Sequence, residues 1–149
     1  MIAPSPLQAH LGYHLRQLSN HVSAAFARKL AARDVIVAEW VLLRLLLDAP
    51  AAPSSLAARM GLSKGAITKL AERLAARQLI SRQASEEDRR SQTLSLTARG
   101  RKLVPELARL ADENDAEFFS FYTGAERAQL IALLEKAAAR HGIAAPPVD

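Results

Sequence analysis

The chain has 149 residues, half of them apolar, which is enough for one domain with a real core. Aromatic residues make up only 5% while Ala and Leu are abundant, so helix-on-helix packing is expected; the absence of cysteine excludes disulfides, thiolate metal sites and thiol redox sensing. The formal charge of +5 is concentrated in one segment: Ser54 to Lys102 holds eleven Lys and Arg against four Asp and Glu, and the remainder holds nine against eleven. Such a basic stretch beside a neutral scaffold suits a polyanionic partner, although a basic soluble surface would look the same.

The start, MIAPSPLQAH, has no basic run followed by an apolar one, so no secretory signal is read there. Leu11, Leu15, Leu18, Val22, Ala25 and Phe26 then recur at helical spacing and predict one long amphipathic helix from about Leu7 to about Ala32. A second helix, about Val37 to Asp48, contains WVLLRLLL and is apolar nearly all round except at Arg44, which places it in the middle of the fold. That run is too short to span a bilayer, and a soluble cytoplasmic protein is expected. Pro50 and Pro53 stop the helix.

SLAARMGLSKGAITKLAERL, Ser55 to Leu74, predicts two short helices that meet at a steep angle. Ala57 supplies the small residue where they touch, Gly61 tolerates positive φ at the turn, and Ser63 caps the second helix. Ile67, Leu70, Ala71 and Leu74 form its buried stripe. The opposite face carries Lys64, Gly65, Thr68, Lys69 and Arg73. A reader of the DNA major groove needs this mixture: cations for phosphates or guanine edges, a Thr for a hydrogen bond or a thymine methyl, a Gly for close backbone approach. An ordinary amphipathic helix with a solvated basic face has the same pattern.

From Leu79 the period changes to two, and LISRQAS and QTLSLT predict two short strands joined through EEDRR. A charge run is usually a solvated turn, but a wing behind a helix–turn–helix can insert an arginine into the neighbouring minor groove. Arg89 or Arg90 would be that cation, with Asp88 holding an arginine or the tip amides in place. Thr97 caps a further helix to about Phe121, which Pro105 should kink or break. Thr123 and Glu126 form a capping box for a last helix through Ala139, and Gly142 ends it.

At this point the chain resembles the MarR family of winged helix–turn–helix regulators. The resemblance lies in the wing signature DRRSQTLSLT (Asp88 to Thr97), in GAITKLAERL (Gly65 to Leu74) as recognition helix, and in the order of elements. It implies a mainly α fold: a winged helix–turn–helix lobe with a two-stranded wing over about 36–98, and an all-helical dimerisation region from about 7–32 and 99–142, in one domain of 1–149. It further implies Arg90 in the minor groove with Asp88 as organiser, and Ser63, Lys64, Gly65, Thr68 and Lys69 facing the major groove. One departure is Val37, where the family often starts its second helix with Thr or Ser.

The expected activity is sequence-specific binding of a pseudo-palindromic double-stranded operator by a homodimer, as a repressor released by a small ligand. Leu130, Leu133, Leu134, Ala137 and Ala138 in the last helix, with the leucines of the first, offer the dimer seam; they could equally close a monomer core. Trp40 and Arg44, one turn apart, with His14, are the candidates for a small anionic aromatic effector; a core Trp and a surface Arg are the alternative. His10, His14 and His21 lie near one helix face, but there is no cysteine and no nearby acid on that helix completes a metal set. They are read as surface or interface histidines, and no metal and no cofactor is expected. Neither a phosphate loop nor a nucleophile elbow is present, and no enzyme is expected. The competing readings are a winged-helix module that binds protein and a non-specific architectural DNA binder.

Overall fold

The structure is a computed structural model that describes residues 1–84 and 92–143. Its helices are α1 (Leu11–Ala31), α2 (Val37–Asp48), α3 (Pro53–Met60), α4 (Lys64–Ala76), α5 (Ala98–Phe119) and α6 (Gly124–Arg140). Strands β1 (Ile80–Ala84) and β2 (Gln92–Leu96) lie between α4 and α5.

The first helix is shorter than its pattern predicts. Leu7–Ala9 is a separate 3-10 turn, and His10 is extended at φ −100° before α1 begins. Pro6 sets up the tight turn by accepting from the Ala9 amide at 3.0 Å, and His14 Nε2 lies 2.8 Å from the Gln8 carbonyl, holding the turn against the helix. Helix α2 starts where expected and without a capping hydroxyl, because Ile36 has none. Glu39 compensates in part, since its Oε1 accepts from the Ile36 amide at 2.9 Å. Helix α5 is not broken at Pro105 but runs through it, with the proline ring on an exposed position. It ends at Phe119, two residues early, on Ser120.

The core gathers Leu42, Leu43 and Leu46 of α2, Leu56 of α3, Ile67 and Leu74 of α4, Leu94 of β2 and Leu107 of α5, each essentially inaccessible to solvent. Full burial of one such side chain contributes about 1.5–3 kcal/mol, so α2 is the axis around which the helix–turn–helix and α5 pack. The strands pair antiparallel from Ile80↔Leu96 to Ala84↔Gln92. Ala51, in the loop after α2, adds an isolated bridge to β2 through bonds of 2.8 and 3.0 Å with Leu94. The proline-rich stop therefore also anchors the sheet.

The root of the hairpin is tightly built. Thr97 caps α5 by accepting from the Gly100 amide at 3.0 Å, and its hydroxyl donates to the Gln78 carbonyl at 2.6 Å. Its own amide donates to the Leu79 carbonyl at 3.1 Å. Gly100 lies directly over that carbonyl, and a Cβ there would fall 2.1 Å from the oxygen. At the far end, Thr123 and Glu126 form the expected capping box with bonds of 2.9 and 3.1 Å. The Thr123 amide, and then its hydroxyl, hold the Glu126 carboxyl below its ordinary pKa.

Helix α6 buries no residue, and every side chain along it except Ala138 is exposed. Leu11, Leu15 and Leu18 of α1 are exposed as well, whereas Ala25 and Leu30 anchor its second half. The alternative in which these leucines close the core of a single chain is thereby ruled out.

Gly100→Ala should destabilise the fold by at least about 2 kcal/mol, because backbone rather than a flexible side chain must move. Urea unfolding checks this, and an unchanged midpoint would contradict the close approach.

Candidate nucleic-acid interface

Helices α3 and α4 pack against each other, and Ala57 of α3 is buried in the core. Gly61 makes the turn at φ 65°, its amide reaching back to the Ala57 and Ala58 carbonyls. A side chain is strained in that conformation. Ser63 Oγ then accepts from the Ala66 amide at 3.1 Å and starts α4. All three roles follow from the sequence pattern.

With Ile67, Leu70, Ala71 and Leu74 buried, Lys64, Gly65, Thr68 and Lys69 are left exposed together on the other side of α4, and Ser63 is exposed at its head. Thr68 donates its hydroxyl proton to the Lys64 carbonyl at 2.9 Å. Its methyl and oxygen lone pairs remain available outward. Gly65 meets nothing that demands a glycine: a Cβ there would touch only Ser63 Oγ at 3.9 Å. The backbone at Gly65 is bare and open to solvent.

Arg73 is placed differently from its neighbours. Its guanidinium lies 3.8 Å from Glu39 of α2, a carboxylate with no solvent exposure, while the arginine itself stays more than half exposed. Arg77, not singled out by the sequence, donates to the Asp34 and Arg33 carbonyls at 2.5 and 3.3 Å. These two arginines tie the last turns of α4 to the turn between α1 and α2. On α4 and just after it, Lys64 and Lys69 thus face outward, Arg77 is turned to backbone carbonyls, and Arg73 lies between, half exposed beside Glu39.

Asp88, Arg89 and Arg90 lie outside the described residues; the paired strands end on either side of them at Ala84 and Gln92. Of the effector candidates, Trp40 is half-buried and meets Phe26 edge-on at 6.3 Å. Arg44 is engaged by Asp48 at 2.9 Å, and His14 faces the Gln8 carbonyl. Each has its own partner. Among the described residues no group of three His, Asp or Glu side chains gathers to hold a metal, and no helix is long and apolar enough to cross a membrane.

Glu39 and Arg77 could not be read from the sequence as an interface joint. The only signal for Glu39 is an acid near the start of an apolar helix, and Arg77 follows a helix end with no local pattern.

Residues 37–92 match the MarR family model. A protein of Thauera aromatica, described as a candidate transcriptional regulatory protein for the hcr operon, is 28% identical over 132 residues, covering 87% of this chain and 80% of that one. BpsR of Bordetella bronchiseptica, whose DNA binding is regulated by 6-hydroxynicotinic acid, has the same fold. It superposes with a TM-score of 0.83 at 26% identity, over 91% of this chain and 98% of its own. A variant of MarR from E. coli in complex with operator DNA shares the fold at 22% identity, with a TM-score of 0.77, over 85% of this chain and 92% of that one.

Glu39→Ala should cost about 1–3 kcal/mol, since the Ile36 amide loses its acceptor inside the fold. Glu39→Gln keeps an acceptor and should cost less. Equal losses in chemical denaturation would show that the bond to Ile36 contributes nothing.

Proposed function

Since this chain belongs to the MarR family, we propose that it is a dimeric, sequence-specific DNA-binding transcriptional regulator, acting as a repressor that a small ligand releases. The observation that carries the reading is the exposed, cationic and partly side-chain-free face of α4, held by a helix–turn–helix whose other side is wholly core. Lysines 64 and 69 neutralise phosphates, and Gly65 lets the backbone approach the groove. Thr68 offers its methyl and its free lone pairs to base edges. Ser63 lies at the head of the helix, where a hydroxyl can meet a phosphate, and Arg73 reaches the backbone from the edge that it shares with Glu39. Asp88, Arg89 and Arg90 are assigned to the wing on sequence grounds, with Arg90 in the minor groove.

We assign about 36–98 to the DNA-binding lobe and about 7–32 with 99–142 to dimerisation. Exposed Leu11, Leu15 and Leu18 of α1 and Leu130, Ile131, Leu133 and Leu134 of α6 support this, because so many large apolar side chains left in water are a mark of an interaction surface. A two-fold dimer would set two α4 helices against successive major-groove faces, about 34 Å apart. The effector is an anionic aromatic compound in this reading, with Trp40, Arg44 and His14 as the candidate contacts. Regulation of BpsR by an aromatic acid supports the class. Because Asp48 holds Arg44, such a ligand must displace a carboxylate to reach it. The family is one of regulators, and no catalytic role is proposed.

Binding to duplex selected from a random library should weaken about a thousandfold or more between ~50 and ~200 mM salt, as released counterions require. Gly65→Ala should leave folding stability equal or slightly higher while binding falls. A protein-interaction module would show no salt-dependent duplex affinity, and an architectural binder would show it without sequence preference.

Leu133→Glu combined with Leu134→Glu should convert the dimer to monomer in sedimentation. The same pair should lower operator affinity by about a hundredfold or more, because the second half-site loses its tethered partner. A variant that stays dimeric would remove α6 from the seam.

A further inference from the structure

The homeodomain recognition helix, a helix–turn–helix variant, reaches base edges with residues at i, i+3, i+4 and i+7. On α4 that series is Gly65, Thr68, Lys69 and Glu72. The first three suit a polyanion; the fourth is a carboxylate at the centre of the outward face, directly opposite the buried stripe of Ile67, Leu70, Ala71 and Leu74.

Glu72 is exposed, and no ion pair or hydrogen bond engages it among the described residues. The cations within reach on its own helix do not account for it. Arg73 turns to Glu39, and Lys69, three residues earlier, makes no bond to it. The position one turn on is Ala76, so no intrahelical pair can form there. No side-chain partner among the described residues accounts for Glu72. Facing phosphates it would be repelled, which weakens binding to every sequence alike. Such a cost is recovered only where the carboxylate finds a donor on the nucleic acid, and in the major groove the cytosine N4 amine is a donor that a carboxylate accepts from.

We propose that Glu72 sets the sequence specificity of this chain by accepting a hydrogen bond from a cytosine N4 amine in each half-site and penalising duplexes that lack it. The inference rests on the DNA-binding reading above. It makes Glu72 an attractive contact for one base pair and a repulsive one for the rest, the two-sided arrangement that discrimination requires.

The test selects bound duplexes from a random library with the full-length wild type, Glu72→Ala and Glu72→Gln, after thermal melting has shown the three to be equally folded. Wild type should prefer cytosine at one symmetric position by about tenfold or more. Glu72→Ala should lose that preference while gaining affinity for unselected duplex. Glu72→Gln, which can both donate and accept, should move the preference toward adenine at the same position. Identical profiles for all three would overturn the proposal, as would a preference lost at a base other than cytosine or a change spread evenly over all positions. A wild type that ignores every duplex in dilute salt would instead overturn the DNA-binding reading itself, an outcome distinct from the others.

Discussion

The Leu79 carbonyl is the point at which α4, the hairpin and α5 are held in register. It accepts from the Thr97 amide, closing the hairpin at its root, and it is covered by the bare Cα of Gly100 in the first turn of α5. Thr97 meanwhile spans from the Gly100 amide to the Gln78 carbonyl, so the residue that starts α5 also holds the end of the turn after α4. Backbone oxygen against backbone carbon leaves no slack of the kind a rotating side chain provides. The direction in which the hairpin leaves the core and the direction in which α5 sets out are thus fixed by one contact. The proposed assignment of DNA recognition to one element and dimerisation to the other depends on that rigidity.

A second joint ties α4 to the other long helix. Arg77 donates to the Arg33 and Asp34 carbonyls just beyond α1, and Arg73 approaches the buried carboxylate that holds the Ile36 amide at the start of α2. Asp34 sits at φ 55°, in the left-handed region that Asp tolerates better than most non-glycine residues. An arginine suits this place, since its planar fork can meet two carbonyls at once. The exposed ion pairs further out, Arg33 with Glu106 and Lys29 with Glu117, contribute little by comparison. Lys29 differs in one respect: it also donates to Asn114, a buried amide that in turn donates to the Val22 carbonyl, and this chain fastens α5 along α1.

Legibility in the sequence followed the range of each interaction. Gly61, Ser63, Thr97 and the Thr123–Glu126 box were readable because each partner lies within a few residues, where spacing alone dictates who meets whom. The buried stripe of α4 was readable for the same reason. Glu39 with Arg73, Arg77 with the α1–α2 turn, Gly100 over Leu79 and the Ala51 bridge to Leu94 join residues roughly twenty to forty apart, and nothing local marks them. The leucines of α1 and α6 were a different case. An apolar stripe has the same period whether it faces its own core or another molecule, so only the folded chain, which leaves them uncovered, separates the two. At Pro105 the expected break does not occur: a proline inside a helix forfeits one backbone bond, and α5 continues through that loss.

The two faces of α4 separate roles that composition had merged. A count of basic residues between Ser54 and Lys102 suggested one surface for one polyanion. In the fold, Arg77 directs its charge to the Arg33 and Asp34 carbonyls, while Arg73 lies 3.8 Å from the Glu39 carboxylate and stays more than half exposed at the edge of the helix. Lys64 and Lys69 keep theirs for the outside, where water or phosphate must meet it. Holding α4 from behind with polar contacts has a consequence that apolar packing alone would not give. Arginine–carbonyl bonds are directional, so they constrain the rotation of the helix about its own axis as well as its distance from the core. Under the proposed DNA-binding reading, rotation decides which side chains of α4 reach a base edge, so the Arg77 bonds would bear on what the outward face recognises.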